Sequence, residues 1–291
     1  MRTELLREVS IAWFLAINLA TVLLITPSSS ANDKLKAEEV VAKHLESIGS
    51  AKARAAVTSR IIAGTSQVIF RTPPPGQAVG KAVLASEGIR SLIGMSFKSP
   101  VYPREQLGFN GNSFIAAFVT PGVRSSLGSF LMTHTLVFKQ GLMGGTLSSA
   151  WPLLDLTSHD PRLEYAGIKK IDGRTLHELK YFPKGGSDLK ISLFFDEVTF
   201  QHVRTEYERL IAAVIGDRGY LSGSNRENRY KMVEEFSEFK QEGGLTLPHT
   251  YKINLLVDTQ SGTFLADWEM KLTQFDFNQP IDPNSFSISS N

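Results

Sequence analysis

A chain of 291 residues with 42% hydrophobic content is long enough to bury one substantial core and has the composition of a folded protein. Its 31 basic and 29 acidic side chains leave a formal charge of +2, which gives no strong field for nucleic acid or an anionic membrane surface. The absence of cysteine excludes a disulfide framework, cysteine-ligated metal clusters, a thiol nucleophile and a cysteine-linked lipid anchor.

The N-terminal segment stands apart. Arg2 and Arg7 precede an apolar run from Ile11 to Ile25, which ends at Thr26-Pro27 and the small residues Ser28 to Ala31. The run is interrupted by Asn18 and is shorter than the roughly 20 residues that span a bilayer. Ser29 and Ala31 supply small side chains just before a cut. Residues 1–31 are therefore expected to be a cleaved signal peptide. The alternative is an uncleaved anchor, because Glu4 and Glu8 weaken the charged start. Either way residues 32–291 are expected to be exported as a single domain.

Asn32 or Asp33 can cap a helix whose apolar positions Leu35, Val40, Val41, Leu45 and Ile48 follow helical spacing, with Gly49 as its stop. Its mixed-charge outer face favours packing on a sheet over a membrane-surface role. A short helical piece, Ala51 to Val57, follows. Strands are expected at Arg60 to Arg71, Gly80 to Ser86, Ile89 to Phe97, Arg104 to Phe109 and Asn112 to Val119, with turns at Thr72 to Gly76, Glu87-Gly88 and Asn110-Gly111. The pattern then changes. Ser125 to Gln140 has helical spacing and leads into Gly141 to Gly145, and Thr146 to Asp155 predicts another short helix. A movable lid and a static cover are equally consistent with this segment.

Leu163 to Arg209 reads as four strands in meander order, with Asp172-Gly173 suited to the positive φ angles of a tight hairpin. In its clearest strand, Leu189, Ile191, Leu193 and Phe195 share a face at the period of two. In the next, Val203, Thr205 and Tyr207 face opposite to His202, Arg204, Glu206 and Glu208. Gly216 to Asn228 reads as a mobile surface loop. Tyr230 to Gln241, Leu247 to Asp258 and Thr263 to Leu272 close the chain as a last meander. The tail Asn278 to Phe286 carries two prolines, which confine it to an edge or a tether. The fold class is α+β: a strongly curved antiparallel sheet of about eleven strands, an incomplete β-barrel, with helices covering its concave apolar face.

Motifs for catalysis are missing: no GxSxG, HExxH, GxxxxGK or GxGxxG pattern occurs, and the carboxylate pairs Asp196-Glu197 and Glu234-Glu235 are adjacent, which does not suit an acid-base dyad. The six histidines lack metal-ligand spacing and read as surface or half-buried side chains. No enzyme activity, metal or cofactor is expected.

Three phrases resemble the LolA/LolB-like superfamily of periplasmic lipoprotein carriers. They are Ile171-Asp172-Gly173 followed by the apolar strand Leu189 to Asp196, the stretch from Phe236 through Gly243-Gly244-Leu245-Thr246-Leu247-Pro248, and the close NQPIDPNSF from Asn278 to Phe286. The resemblance implies a periplasmic, non-enzymatic carrier or binder of lipids or lipid-modified proteins, with an acyl lipid or lipoprotein ligand on the concave face and transient membrane contact. An alternative on the same fold is a protein-interaction factor, a sensor or envelope-assembly protein with an envelope protein as partner. The family's lid-latching arginine has no counterpart assignable here by motif. Leu193, Phe195, Ile253, Leu255, Trp268 and Met270 are the candidate lipid lining, or else core beneath the helices.

Overall fold

A computed structural model describes residues 35–72, 74–212 and 227–289. The expected signal peptide, the capping residues Asn32 and Asp33, and positions 216–226 of the expected loop lie outside the described residues. The first helix, α1 (Ala37–Ile48), starts instead at Lys36, whose backbone N–H donates to the Glu39 carboxylate at 2.7 Å. It buries the stripe Val40, Val41, His44 and Ile48. Ser50 caps the short α2 (Ala51–Ala56), its hydroxyl accepting from the Ala53 N–H at 3.1 Å.

Two meanders make one twelve-stranded antiparallel sheet. The first comprises β1 (Ser59–Phe70), β2 (Gly76–Glu87), β3 (Arg90–Phe97), β4 (Arg104–Phe109) and β5 (Phe114–Ala116). The second runs through β6 (Arg162–Ile171), β7 (Arg174–Phe182), β8 (Lys190–Asp196), β9 (His202–Ile211), β10 (Asn228–Glu242), β11 (Leu245–Thr259) and β12 (Gly262–Phe277). The first and last strands pair, from Arg60 opposite Phe277 to Phe70 opposite Ala266. β5 and β6 are therefore the two edges of an unclosed sheet, as the sequence leads one to expect of an incomplete barrel.

Turn chemistry sets much of this register. Asp172 and Gly173 both take positive φ, 50° and 79°, which joins Ile171 directly to Arg174 in a two-residue hairpin. Gly243 and Gly244 do the same between β10 and β11. Two expected turns shift. Glu87 pairs with Arg90, so the loop is Gly88-Ile89 rather than Glu87-Gly88. Phe109 pairs with Phe114, because the Asn110 side-chain oxygen Oδ1 accepts from the Asn112 and Ser113 N–H groups at 3.0 Å and holds a longer loop.

The segment between the meanders, residues 117–161, lies against the sheet's apolar face. The helix expected over Ser125 to Gln140 is two: α3 (Ser126–Thr133) and α4 (Leu136–Lys139). The break falls at Thr133-His134-Thr135, where His134 leaves helical geometry and β-branched threonines flank it. Thr146 to Asp155 forms two single 3₁₀ turns, Gly145–Leu147 and Pro152–Leu154, since Ser148 is extended and Pro152 has no N–H to continue a helix. The last piece is α5 (Leu156–His159).

Cross-strand rungs define the core. One runs through Ala78, Val68, Trp268, Ile253, Glu234, Thr205, Leu193 and Leu179, side by side across eight strands. A register shift between Phe194 and Phe195 corrects the expected facing of β9: the extra residue there is Val203, so His202 joins Thr205 and Tyr207 on the apolar face. Val203 turns out to pack with Leu176 and Phe194 in a small outer cluster. The tail forms no strand; Phe286 is buried and Ile288 lies over Gly108 of β4.

Candidate functional site

The structure brings the six candidate lining residues together. Leu193 and Phe195 on β8, Ile253 and Leu255 on β11, and Trp268 and Met270 on β12 are all 0% exposed in one continuous core. Ile253 pairs with Trp268, and Leu193 lies on the same rung. Phe138, Leu142, Met143, Leu147 and Trp151 of the intervening segment bury themselves in that core.

Polar groups tie this cover down. Glu234, 0% exposed in the middle of an apolar rung, accepts from the Gly144 N–H at 2.7 Å, the Tyr251 hydroxyl at 2.5 Å and the Tyr207 hydroxyl at 2.6 Å. Burial pushes its carboxyl up to about 7, against the pull of those three donors. At the other end, the Tyr102 hydroxyl donates to Glu105 and accepts from the Trp268 indole at 3.0 Å. Glu105 is likewise raised by burial to about 7, tempered by the Ser125 and Tyr102 hydroxyls and by Arg124. Ser125 caps α3, accepting from the Gly128 N–H at 2.7 Å. Arg60, 2% exposed, donates to the Thr146 and Ser148 carbonyls, and Tyr181 donates to Gln140 at 2.9 Å.

A third polar knot involves two of the histidines. The Trp151 indole N–H donates to His44 Nε2 at 3.1 Å, which leaves His44 Nδ1 to carry the proton and donate to the Phe200 carbonyl at 3.1 Å. Burial lowers His44 to about 4, so the neutral tautomer these bonds require is the one present. His202 stacks on Trp151 at 4.5 Å between centroids, and burial holds it well below the usual imidazole range. Both side chains are fully buried, contrary to the surface or half-buried reading. The histidine spacing gave no hint of this, because the contact spans α1, a 3₁₀ turn and β9.

The glycine run also reads differently in three dimensions. A Cβ on Gly141 would sit 1.8 Å from the Ala150 carbonyl oxygen, and one on Gly145 would meet His202 and Phe236 below 3.0 Å. These glycines combine positive φ with a close approach that leaves no room for a side chain.

Where the cover stops, a cleft opens. The rung Ala266, Leu255, Met232, Tyr207 is wholly buried, but the next one outward, Phe264, Val257, Tyr230, Arg209, is only partly so. Tyr230, Val257 and Arg209 face one side of α3, which presents Ser126, Ser129, Phe130, Thr133 and His134 at helical spacing. With Arg124 these residues enclose about 290 Å³, at the lower end of ligand sites. Arg124 Nε donates to the Ala116 carbonyl at 2.9 Å, and its guanidinium lies 4.8 Å over the Phe118 ring. Arg209 pairs with Asp188 at 3.0 Å, and His134 contacts the same carboxylate at 3.3 Å. His134 is lowered by burial, partly offset by Asp188.

Of the cleft residues, sequence reasoning placed Val257 on the apolar face but missed Arg124, Phe130 and Tyr230 as a group. The signal available was the last apolar position of each alternating strand, which must lie at the sheet's rim. A larger groove of about 770 Å³ over β7 and β8 is lined by apolar residues such as Phe182, Pro183 and Phe194 and by charged ones, among them Lys169 and Glu178, which pair with each other at 2.8 Å. Among the described residues no group of three His, Asp or Glu side chains is arranged to hold a metal ion, and no helix is long and apolar enough to cross a membrane.

No family model matches the chain, and no curated protein matches it. Among solved structures, the chain is similar to a LolA superfamily protein from Nitrosomonas europaea, at 13% identity over 86% of this chain and 97% of that one, with a TM-score of 0.46. It is similar to a DUF1329 family protein from Desulfovibrio piger at 10% identity, over 86% and 96% of the two chains, with a TM-score of 0.46. A third is an outer membrane lipoprotein-sorting protein domain from Vibrio parahaemolyticus, at 15% identity over 84% and 97%, with a TM-score of 0.43.

Proposed function

We propose that the protein is an exported, non-enzymatic binder or carrier of lipids or lipid-modified proteins, acting in the periplasm, with the acyl chain entering between α3 and the rim of β9 to β11. The observation that carries this reading is the cleft: an apolar wall of Phe130, Tyr230 and Val257 that continues inward into the core at Leu255 and Met232. A carrier must hide acyl chains from water, and each buried methylene contributes roughly 0.8 kcal/mol. About ten buried methylenes would therefore be needed for micromolar affinity before ordering costs. A 290 Å³ cleft is small for that, so on this reading α3 shifts outward as the chain enters, while the part of the cover pinned by Glu234, Arg60 and Trp151 stays.

The six core residues form the floor of this arrangement, and Leu193→Glu or Trp268→Ala would test folding before it tested binding. The cleft variants are the sharper probes. Protein purified from the envelope into which it is exported is expected to carry an acyl ligand by native mass spectrometry and lipid extraction. That ligand is expected to be lost in Val257→Glu at unchanged melting behaviour. A ligand-free wild-type protein under the same conditions contradicts the carrier reading.

A second reading is a protein-interaction factor on the same fold. What favours it is the completeness of the cover, since all six candidate lining residues are sealed. It predicts a stoichiometric protein partner on ligand-free material, with Val257→Glu leaving that complex intact.

A further inference from the structure

Charge is divided unevenly along the chain. Residues 59–154, the first meander and the segment that follows it, carry eight Lys and Arg side chains and two carboxylates, whereas residues 155–291 carry sixteen against twenty-one. The near-balanced total therefore hides a basic part and an acidic one. Of the two carboxylates in the basic part, Glu87 is tied to Arg90 at the far end of β2, and Glu105 is buried. The cations gather at the other end of the strands. Arg71 follows β1, Lys98 follows β3, Arg104 opens β4 and Arg124 precedes α3. Arg104 Nε donates to the Phe118 carbonyl at 3.1 Å and the Arg124 guanidinium lies over the Phe118 ring, which sets these two side by side. Lys98 shares a hollow on the outer face with Lys81 and Val79, its backbone N–H donating to the Val79 carbonyl at 3.1 Å. Lys271 and Glu269 close that hollow, and Glu269 is committed to Lys252 at 2.9 Å. Arg71 is paired with Asp267, but Lys81 and Lys98 form no ion pair among the described residues. Val79, Val101 and Val123 alternate with these cations along the chain, and each is more than half exposed.

We propose that this end of the first meander docks on an anionic phospholipid surface, the head-group phosphates meeting Lys81, Lys98, Arg104 and Arg124. The inference goes beyond the acyl-binding reading and does not depend on it. Charge complementarity selects an anionic partner. A bilayer is favoured over an acidic protein because the cations are interleaved with exposed aliphatic side chains, and an interfacial contact uses both. The excess of carboxylates in residues 155–291 disfavours docking by that part, so the same division of charge sets the orientation. Arg124 also lines the α3 cleft with Ser126, and docking in this way sets that mouth of the cleft against the lipid.

The test is co-sedimentation of the protein, purified from the envelope into which it is exported, with vesicles of phosphatidylglycerol mixed with phosphatidylethanolamine and with vesicles of phosphatidylcholine alone. Partitioning is expected to be at least about tenfold stronger on the anionic vesicles and to fall as salt is added. Each lysine near such a surface contributes about fivefold, so Lys81→Glu combined with Lys98→Glu should lower partitioning at least about tenfold at unchanged melting temperature. Lys170→Glu combined with Lys190→Glu makes the same change in net charge on β6 and β8, and is expected to leave partitioning within about threefold of the wild type. Lys98→Gln, a milder change at an exposed position, serves if the first double variant melts at a lower temperature, with a loss of about fivefold expected. Equal partitioning of folded protein on the two kinds of vesicle overturns the proposal. Equal losses in the two double variants overturn the assignment to this face, since they report net charge alone. No binding to either vesicle overturns membrane docking, and a salt-sensitive complex with an acidic protein through Lys81 and Lys98 would put a protein there instead.

Discussion

Ionising Glu234 places a charge where three hydrogen-bond donors face it but no cation does. Its carboxyl is therefore raised in the folded protein, as is that of Glu105, each to about 7 from 4.5. A raised folded-state value means that the folded protein binds the proton more tightly than the unfolded chain. The associated stability is present below about pH 4.5 and is lost as pH rises through about 7. His44 works in the opposite sense: lowered from 6.5 to about 4, it contributes stability above pH 6.5 that is lost as pH falls through about 4. These opposing terms overlap in mildly acidic solution, so the difference between variant and wild type is the informative quantity. Glu234→Gln keeps acceptor and shape but cannot ionise. Relative to wild type it is expected to gain on the order of 3 kcal/mol between pH 5 and pH 8, in denaturant titrations at each pH. Glu234→Leu leaves the Gly144 N–H and two tyrosine hydroxyls without their acceptor and should cost about 3 kcal/mol or more at pH 5.

At the scale of elements, the segment between the two meanders behaves as a fitted plug. Gly141→Ala is expected to destabilise by at least about 2 kcal/mol, because it combines a positive φ with a clash against the Ala150 carbonyl. Gly144→Ala, with positive φ but open space around its Cβ position, should cost only about 1 kcal/mol; equal losses would mean that packing at Gly141 is unimportant. Much at this scale was legible in the sequence. Alternation located the strands, and Asp172-Gly173 announced its hairpin because only that pair supplies two positive φ angles in sequence there. What was not legible depends on contacts between distant segments. Glycines at 141 and 145 look like flexibility until Ala150 and His202 are seen against them. His202 looked outward because a single bulge, invisible to a strict period of two, reverses its face. The apolar lining and an apolar core have the same periodicity, and only the cover over Leu193 and Trp268 distinguishes them.

For the whole molecule, the sheet has its first and last strands paired and ends at the unpaired edges of β5 and β6. The pinned cover buries Leu193, Phe195 and Trp268, and the α3 cleft is the proposed way in. Ser129→Trp, which places a bulky ring on the exposed side of α3 in the cleft, is expected to abolish acyl binding with little effect on melting temperature. The most direct test of the entry route is photolabelling with a diazirine-bearing fatty acid, followed by mapping of the labelled peptides. Label is expected on the stretch around Ser129 and Phe130 together with those around Tyr230 and Val257. Label confined to the outer face of β7 and β8, or none on folded protein, would contradict it.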